Sequence, residues 1–300
     1  MIYKSLVFIL VSFLFVQNSN AQLTDLARLE YTYFPQDNSD NTFKRLRAFV
    51  NYPYEIYEDA YLVVGVEYRN VNLLLRDNLP FDNNNIERFQ SFTGSLGFTD
   101  KMENNWRWAV QAEIKLASNF DNSITGDDYI FGGSAYFIKD RTKLTQENMP
   151  KKPWRLIMGL NYSTTAGRPF PLPFINYYRE FAPKWSHTLG VPKSNVKYKF
   201  VPGMAFQAFI TLDGFYANIQ ENTPISLPDN SQLLGENISL TTLLSGLGYE
   251  WEFMDHFVFY VYGGHTIINE IRFRDSAGDN VYVINDENNW YGRSGIKVKI

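Results

Sequence analysis

Cysteine is absent from this 300-residue sequence. That excludes disulfides, thiol catalysis, cysteine metal sites and attachment of the chain to a membrane through an acylated cysteine. Histidine is scarce, with three copies: His187, His256 and His265. No excess of positive charge exists either. The formal net charge is −4, which offers no electrostatic footprint for nucleic acid. Long apolar runs are missing beyond the first 21 residues, so the chain has no helical membrane span. Nor does it contain G-x-G-x-x-G, a phosphate-binding P-loop or a G-x-S-x-G nucleophile turn.

The first 21 residues carry an address. "MIYK" is positively charged, "SLVFILVSFLFV" (5–16) is apolar, and "QNSNAQ" supplies small residues. This order is that of a secretory leader, with cleavage expected after Ala21. The apolar run is shorter than the roughly 20 residues that a spanning helix needs. The expected organisation is therefore a leader at 1–21 and one domain over 22–300. Removal of Lys4 with the leader makes the remainder one unit more negative.

Aromatic residues are abundant at 17%, with 24 Phe, 20 Tyr and 6 Trp. Mean hydropathy is nevertheless −0.29. Alternation reconciles the two. In "NNWRWAVQAEIKLASN", Trp106, Trp108, Val110, Ala112, Ile114 and Leu116 share one face of a strand, against Arg107, Gln111, Glu113 and Lys115. "PWRLIMGLNYS" sets Trp154, Leu156, Met158 and Leu160 against Arg155, Gly159 and Asn161. "GMAFQAFITLDG" and "AYLVVGVEYRN" repeat the pattern, the latter with Glu67 and Arg69 on the polar face. Such strands are long enough to cross a bilayer at a tilt, which takes about 10 residues each.

Asn- and Asp-rich stretches between the strands read as loops, among them 35–41, 76–85, 119–128, 139–153, 221–232 and 274–280. Short turns alternate with them, including the "DG" dipeptide at 213–214. The expected fold is all-β, an antiparallel transmembrane β-barrel of about 12 strands. Prolines break the pattern over 167–200, strands are expected at 195–212 and 213–221, and 281–300 closes the set. Trp106, Trp108, Trp154, Trp251, Trp290 and Tyr291 near strand ends suit an aromatic girdle. A secreted soluble β protein alternates as well, and is the competing fold.

The final strand-like stretch, "RSGIKVKI", alternates Ile296, Val298 and Ile300 with Lys297 and Lys299. Its Arg293, Gly295, Val298 and Ile300 resemble, at the right spacing, the closing-strand pattern by which Gram-negative barrels are recognised for assembly. An aliphatic residue replaces the frequent terminal Phe. That resemblance implies the outer membrane as location, with lipid and the barrel-assembly machinery as partners. Across nearly the whole chain after the leader, the sequence also resembles an uncharacterised family of outer-membrane β-barrels from Bacteroidota. The resemblance is carried by "NAQ", "PWRLIMGLNYS", the Pro-rich stretch 167–198 with Leu189, Gly190 and Pro192, and "FMDHFVFYVYGGHT". It implies fold and location but no chemistry.

No catalytic constellation emerges, so the expectation is a protein that is not an enzyme and holds no metal or cofactor. The three histidines lack carboxylate or histidine neighbours at metal-ligand spacing. Asp37, Asp40, Asp127 and Asp128 read as solvated turn residues. What remains is the lumen, with Arg107, Glu113, Lys115, Arg155, Lys297 and Lys299 as its candidate residues. Their mixed signs fit either an ion-paired plug or the lining of a narrow channel, with a binding role for the long loops as a third reading. Ligand or substrate is not legible.

Overall fold

The computed structural model describes residues 25–36, 41–76, 79–142, 152–226 and 231–299. The expected leader, Asp37, Asp40 and Ile300 lie outside them. Fifteen strands form one sheet: β1 (Ala27–Pro35), β2 (Thr42–Tyr57), β3 (Ala60–Leu74), β4 (Arg88–Lys101), β5 (Trp106–Ser118), β6 (Tyr129–Asp140), β7 (Trp154–Ser163), β8 (Phe170–Ala182), β9 (Trp185–Val191), β10 (Lys193–Val201), β11 (Met204–Ser226), β12 (Gln232–Met254), β13 (Phe257–Arg274), β14 (Asn280–Asn285) and β15 (Trp290–Val298). Each pairs antiparallel with its neighbour, and β15 pairs with β1, Ala27 opposite Val298 and Tyr33 opposite Gly292. β14 and β15 lie end to end along β13 as one strand interrupted at 286–289. The ring therefore counts 14 strands and is closed, which leaves no row of unpaired backbone groups at an edge.

Fourteen strands replace the expected 12 because of the region around 167–226. The Pro-rich stretch was expected to break the pattern, but it folds as β8, β9 and the start of β10. Phe170–Ala182 pairs along β7 and Trp185–Val191 along β8. Pro171 and Pro173 are tolerated because β8 keeps its ladder through neighbouring residues. The expected turn at Asp213–Gly214 is a strand interior. The true turn is Pro202–Gly203, where Gly203 adopts φ +77, a left-handed backbone that favours glycine.

The burial pattern is inverted relative to a soluble sheet. Leu247 is 70% exposed, Phe131 66%, Val66 61% and Leu160 60%, while Glu30 and Arg45 are each 2% exposed. Outward apolar residues alternate with inward polar ones along much of the long strands. Tyr54, Trp185 and Trp251 ring the end of the short turns from outside. Tyr291 does not join that girdle. It points inward, buried, and stacks on Phe34 at 5.5 Å.

The barrel has two storeys. β10 leaves β11 at Thr211, and above that point β11 has no neighbour from β6–β10. It leans across instead and joins β5 by a parallel bridge, Asn218 to Ser118. The wall of β6–β10 is thus bypassed, and a narrower ring closes above it. The inner faces of that ring meet in an apolar core of Phe34, Phe43, Phe89, Phe215, Ile238, Leu240 and Phe273. The lower storey keeps the full ring and a polar interior.

Candidate functional site: the lumen and its ion-pair floor

The boundary between storeys is built on Asp213. Its carboxylate accepts two hydrogen bonds from Arg45, at 2.9 and 2.6 Å, and one from Arg293 Nη2 at 2.6 Å. Glu30 lies 3.6 Å from both guanidinium groups and accepts from the Tyr260 hydroxyl at 2.7 Å. Buried Arg45 and partly buried Arg293 therefore share buried Glu30 and partly buried Asp213, brought together from β1, β2, β11 and β15. Charges cannot be held this dry unless paired and hydrogen-bonded. Arg69 joins from the side, donating to the Gly214 carbonyl at 3.3 Å and pairing with Glu67. Glu67 also accepts from Arg47, at 2.9 and 2.6 Å.

A second hub sits nearer the short turns, on β12. Glu250 accepts from Lys197 at 2.7 Å, Lys297 at 2.8 Å, Tyr262 at 2.7 Å and Gln207 at 3.1 Å. Gly248 makes room for the Tyr262 ring, since a Cβ there would lie 2.3 Å from it. Gly295 does the same for Tyr260, its Cβ position being 2.7 Å from the hydroxyl.

A short 3-10 turn, Thr164–Ala166, joins β7 to β8 and tucks under the crossing of β11 and β12. Thr241 Oγ1 donates to the Ala166 carbonyl at 3.0 Å, and Lys115 Nζ donates to Thr164 Oγ1 at 2.7 Å. Gly214 is what permits the approach. A Cβ on it would sit 2.5 Å from the Thr165 carbonyl and 2.7 Å from the Gly167 nitrogen. Beneath this turn lies a polar cavity of about 260 Å³, lined by Arg47, Glu67, Arg69, Glu113, Lys115 and Thr164 among others. Next to it, toward the short turns, is a cavity of about 220 Å³ with mainly apolar walls.

The residues expected in the lumen fall in three different places. Lys297 belongs to the Glu250 hub. Glu113 and Lys115 line the polar cavity. Arg107, Arg155 and Lys299 stand near the short-turn rim. Arg107 donates to the Asp59 carbonyl at 2.6 Å and lies over the Tyr61 ring, Arg155 is paired with Tyr178, and Lys299 lines a rim cavity with Lys184 and Lys199. Within the expected assembly pattern, Arg293 is a hub residue, Gly295 a packing gap, and Val298 half-buried opposite Ala27. The sequence reading missed Glu30, Arg45, Glu250 and Asp213. Glu30 and Glu250 alternate with outward aromatics ("LEYTYF", "GYEWEF"), a legible signal; Arg45 stands between Lys44 and Leu46, and Asp213 was hidden by its turn-like partner Gly214.

His187 sits on β9, with its ring 5.3 Å from Phe181. One other expectation changes. Asp128, read as solvated, is fully buried and accepts from Asn218, Gln220 and the Thr125 N–H, each at 2.8 Å. Burial opposes its charge, yet the hydrogen bonds from Asn218, Thr125 and Gln220 hold its carboxyl below the ordinary aspartate range. Among the described residues no group of three or more His, Asp or Glu is placed to hold a metal ion.

A family model described as "Domain of unknown function (DUF6268)" matches residues 77–299. No curated protein matches the sequence. Among solved structures, the chain is similar to LpxR from Salmonella typhimurium (8% identity, 91% of this chain and 100% of that one, TM-score 0.36). It is also similar to the translocator domain of the autotransporter NalP from Neisseria meningitidis (10% identity, 99% and 95%, TM-score 0.33). A third likeness is to the Pseudomonas putida toluene transporter TodX (8% identity, 92% and 89%, TM-score 0.26). The closed barrel rests on the chain's own strand pairing and not on these distant likenesses.

Proposed function

Since the chain belongs to the DUF6268 family, which carries no assigned activity, its role has to come from its geometry, and we propose that it is an outer-membrane barrel whose lumen is a closed binding chamber and not a through-pore. The observation that carries this reading is the crossing of β11 to β5, which stacks an apolar core over the ion-paired floor of Glu30, Arg45, Asp213 and Arg293. Ions would have to pass both. The outward apolar belt supports the membrane setting, because a surface of this kind in water is an aggregation liability. With that setting go a cleaved leader ending at Ala21, a Gram-negative host of the Bacteroidota, and insertion by barrel-assembly machinery that reads the Arg293–Ile300 stretch.

The test is electrical. Purified protein in a planar bilayer is expected to give no discrete conductance steps at neutral pH. Regular steps of one size, abolished by heat denaturation, would overturn the closed-lumen reading in favour of a narrow channel.

A further inference from the structure

Lys115 is the most deeply buried of the three cations that line the polar cavity. The residue is 95% buried, and its ammonium has three hydrogens to donate. One goes to Thr164 Oγ1, and among the described residues no carboxylate lies within ion-pair distance. Glu67 is occupied by Arg47 and Arg69. Glu113 is two residues away on the same face of β5, but its side chain lies over Gly132, where a Cβ would come within 2.5 Å of its Oε1. The polar cavity therefore has three cations against two carboxylates, and its surplus charge is the least satisfied of the three. A buried ammonium without a counter-charge is costly, and one anion would complete it.

What adjoins that cavity defines the rest of the ligand. Asn51 and Gln111 line both cavities, so the polar one runs into the apolar one along them. The apolar one is walled by Val63, Ala109, Tyr136, Ile138, Ile157 and Phe174. Apolar inward faces are the exception in this lumen, and here several gather from β3, β5, β6, β7 and β8. Gln111 points inward and is nonetheless exposed, so solvent reaches the junction. The way on toward the long loops is shut by the Thr164–Ala166 turn and the crossing above it.

Resting on the closed-chamber reading, we propose that this lumen binds one carboxylate-headed amphiphile, entering from the short-turn side. Its head would meet the Lys115 ammonium and its apolar tail would lie along Ile138, Ile157 and Phe174. A charge-assisted hydrogen bond in a dry site supplies the orientation, and tail burial supplies the remaining affinity.

The probe is octanoate, carbon-13-labelled at the carboxyl group, titrated by NMR into the barrel held in lipid nanodiscs. Octanol and acetate serve as the tail-only and head-only controls. Folding of each variant is checked by the shift in gel mobility on boiling. Wild-type protein is expected to bind octanoate saturably. Lys115→Met should weaken octanoate at least about tenfold while leaving octanol unchanged. Ile157→Gln should weaken both octanoate and octanol. Absence of saturable octanoate binding to a folded, non-conducting barrel overturns the proposal, and so does undiminished binding by folded Lys115→Met. Conductance steps together with Lys115-dependent octanoate binding would sink the closed-lumen reading and leave the site supported.

Discussion

Asp213 is one side chain on which two arginines depend. Replacing it by alanine strips Arg45 and Arg293 of their shorter partner and leaves both leaning on Glu30 at 3.6 Å. Removing one member of a buried ionic cluster costs about 3–5 kcal/mol. Asp213→Ala is therefore expected to lower the temperature at which the gel-shifted folded band disappears, and Arg45→Met in the same chain to restore part of the loss. Asp128 makes a second prediction at this scale. Its folded carboxyl titrates below the ordinary value, so the stability it contributes is present above the unfolded pKa, near 4, and is lost as pH falls through the lower folded one. Asp128→Asn should weaken the upper ring at neutral pH and flatten its acid sensitivity. Hydrogen exchange of the Ser118 and Gln220 amides reads both effects.

Among the elements, the β11–β12 pair sets the architecture, and its reach is a matter of one glycine. A side chain at Gly214 would strike the backbone of Thr165 and Gly167. Gly214→Val should push the β7–β8 turn away, break the Lys115–Thr164 bond and open the 164–169 segment to protease. If the cleavage pattern matches wild type, the turn is not held by that contact. This is also where sequence reading reached its limit. Alternation in β3, β5 and β7 was plain, because each has one lipid-side and one lumen-side face. Asp213–Gly214 looked like a turn, since local turn chemistry and a buried ion-pair hub beside a packing gap use the same two residues. The seven-residue β9 hid among prolines. The β5–β11 bridge joins residues 100 positions apart, and no local pattern announces it. The amphipathic chamber was equally illegible: alternation puts Glu113 and Lys115 on one face of β5, but their separate surroundings come from Gly132 and Thr164.

At the level of the whole molecule, the lipid-facing belt and the polar interior make opposite demands on substitution. Leu247 and Phe131 are the most exposed of the large outward residues apart from Trp290, which matches Phe131. Arginine at the midplane of a lipid-facing strand costs about 2–4 kcal/mol, whereas on a soluble protein's surface it is close to neutral. Leu247→Arg and Phe131→Arg should therefore reduce the yield of heat-modifiable protein in the membrane fraction. Unchanged yield, with the protein released without detergent, would point to the secreted soluble alternative.

The bypass of β6–β10 separates two jobs that most tubes give to one wall. Of those five strands, β6, β7 and β8 wall one side of the chamber, and only the turn between β7 and β8 reaches the seal above it. A breach among them would flood the chamber from the bilayer or from below and still not connect the two sides. In the vocabulary of valves, the barrel fails shut.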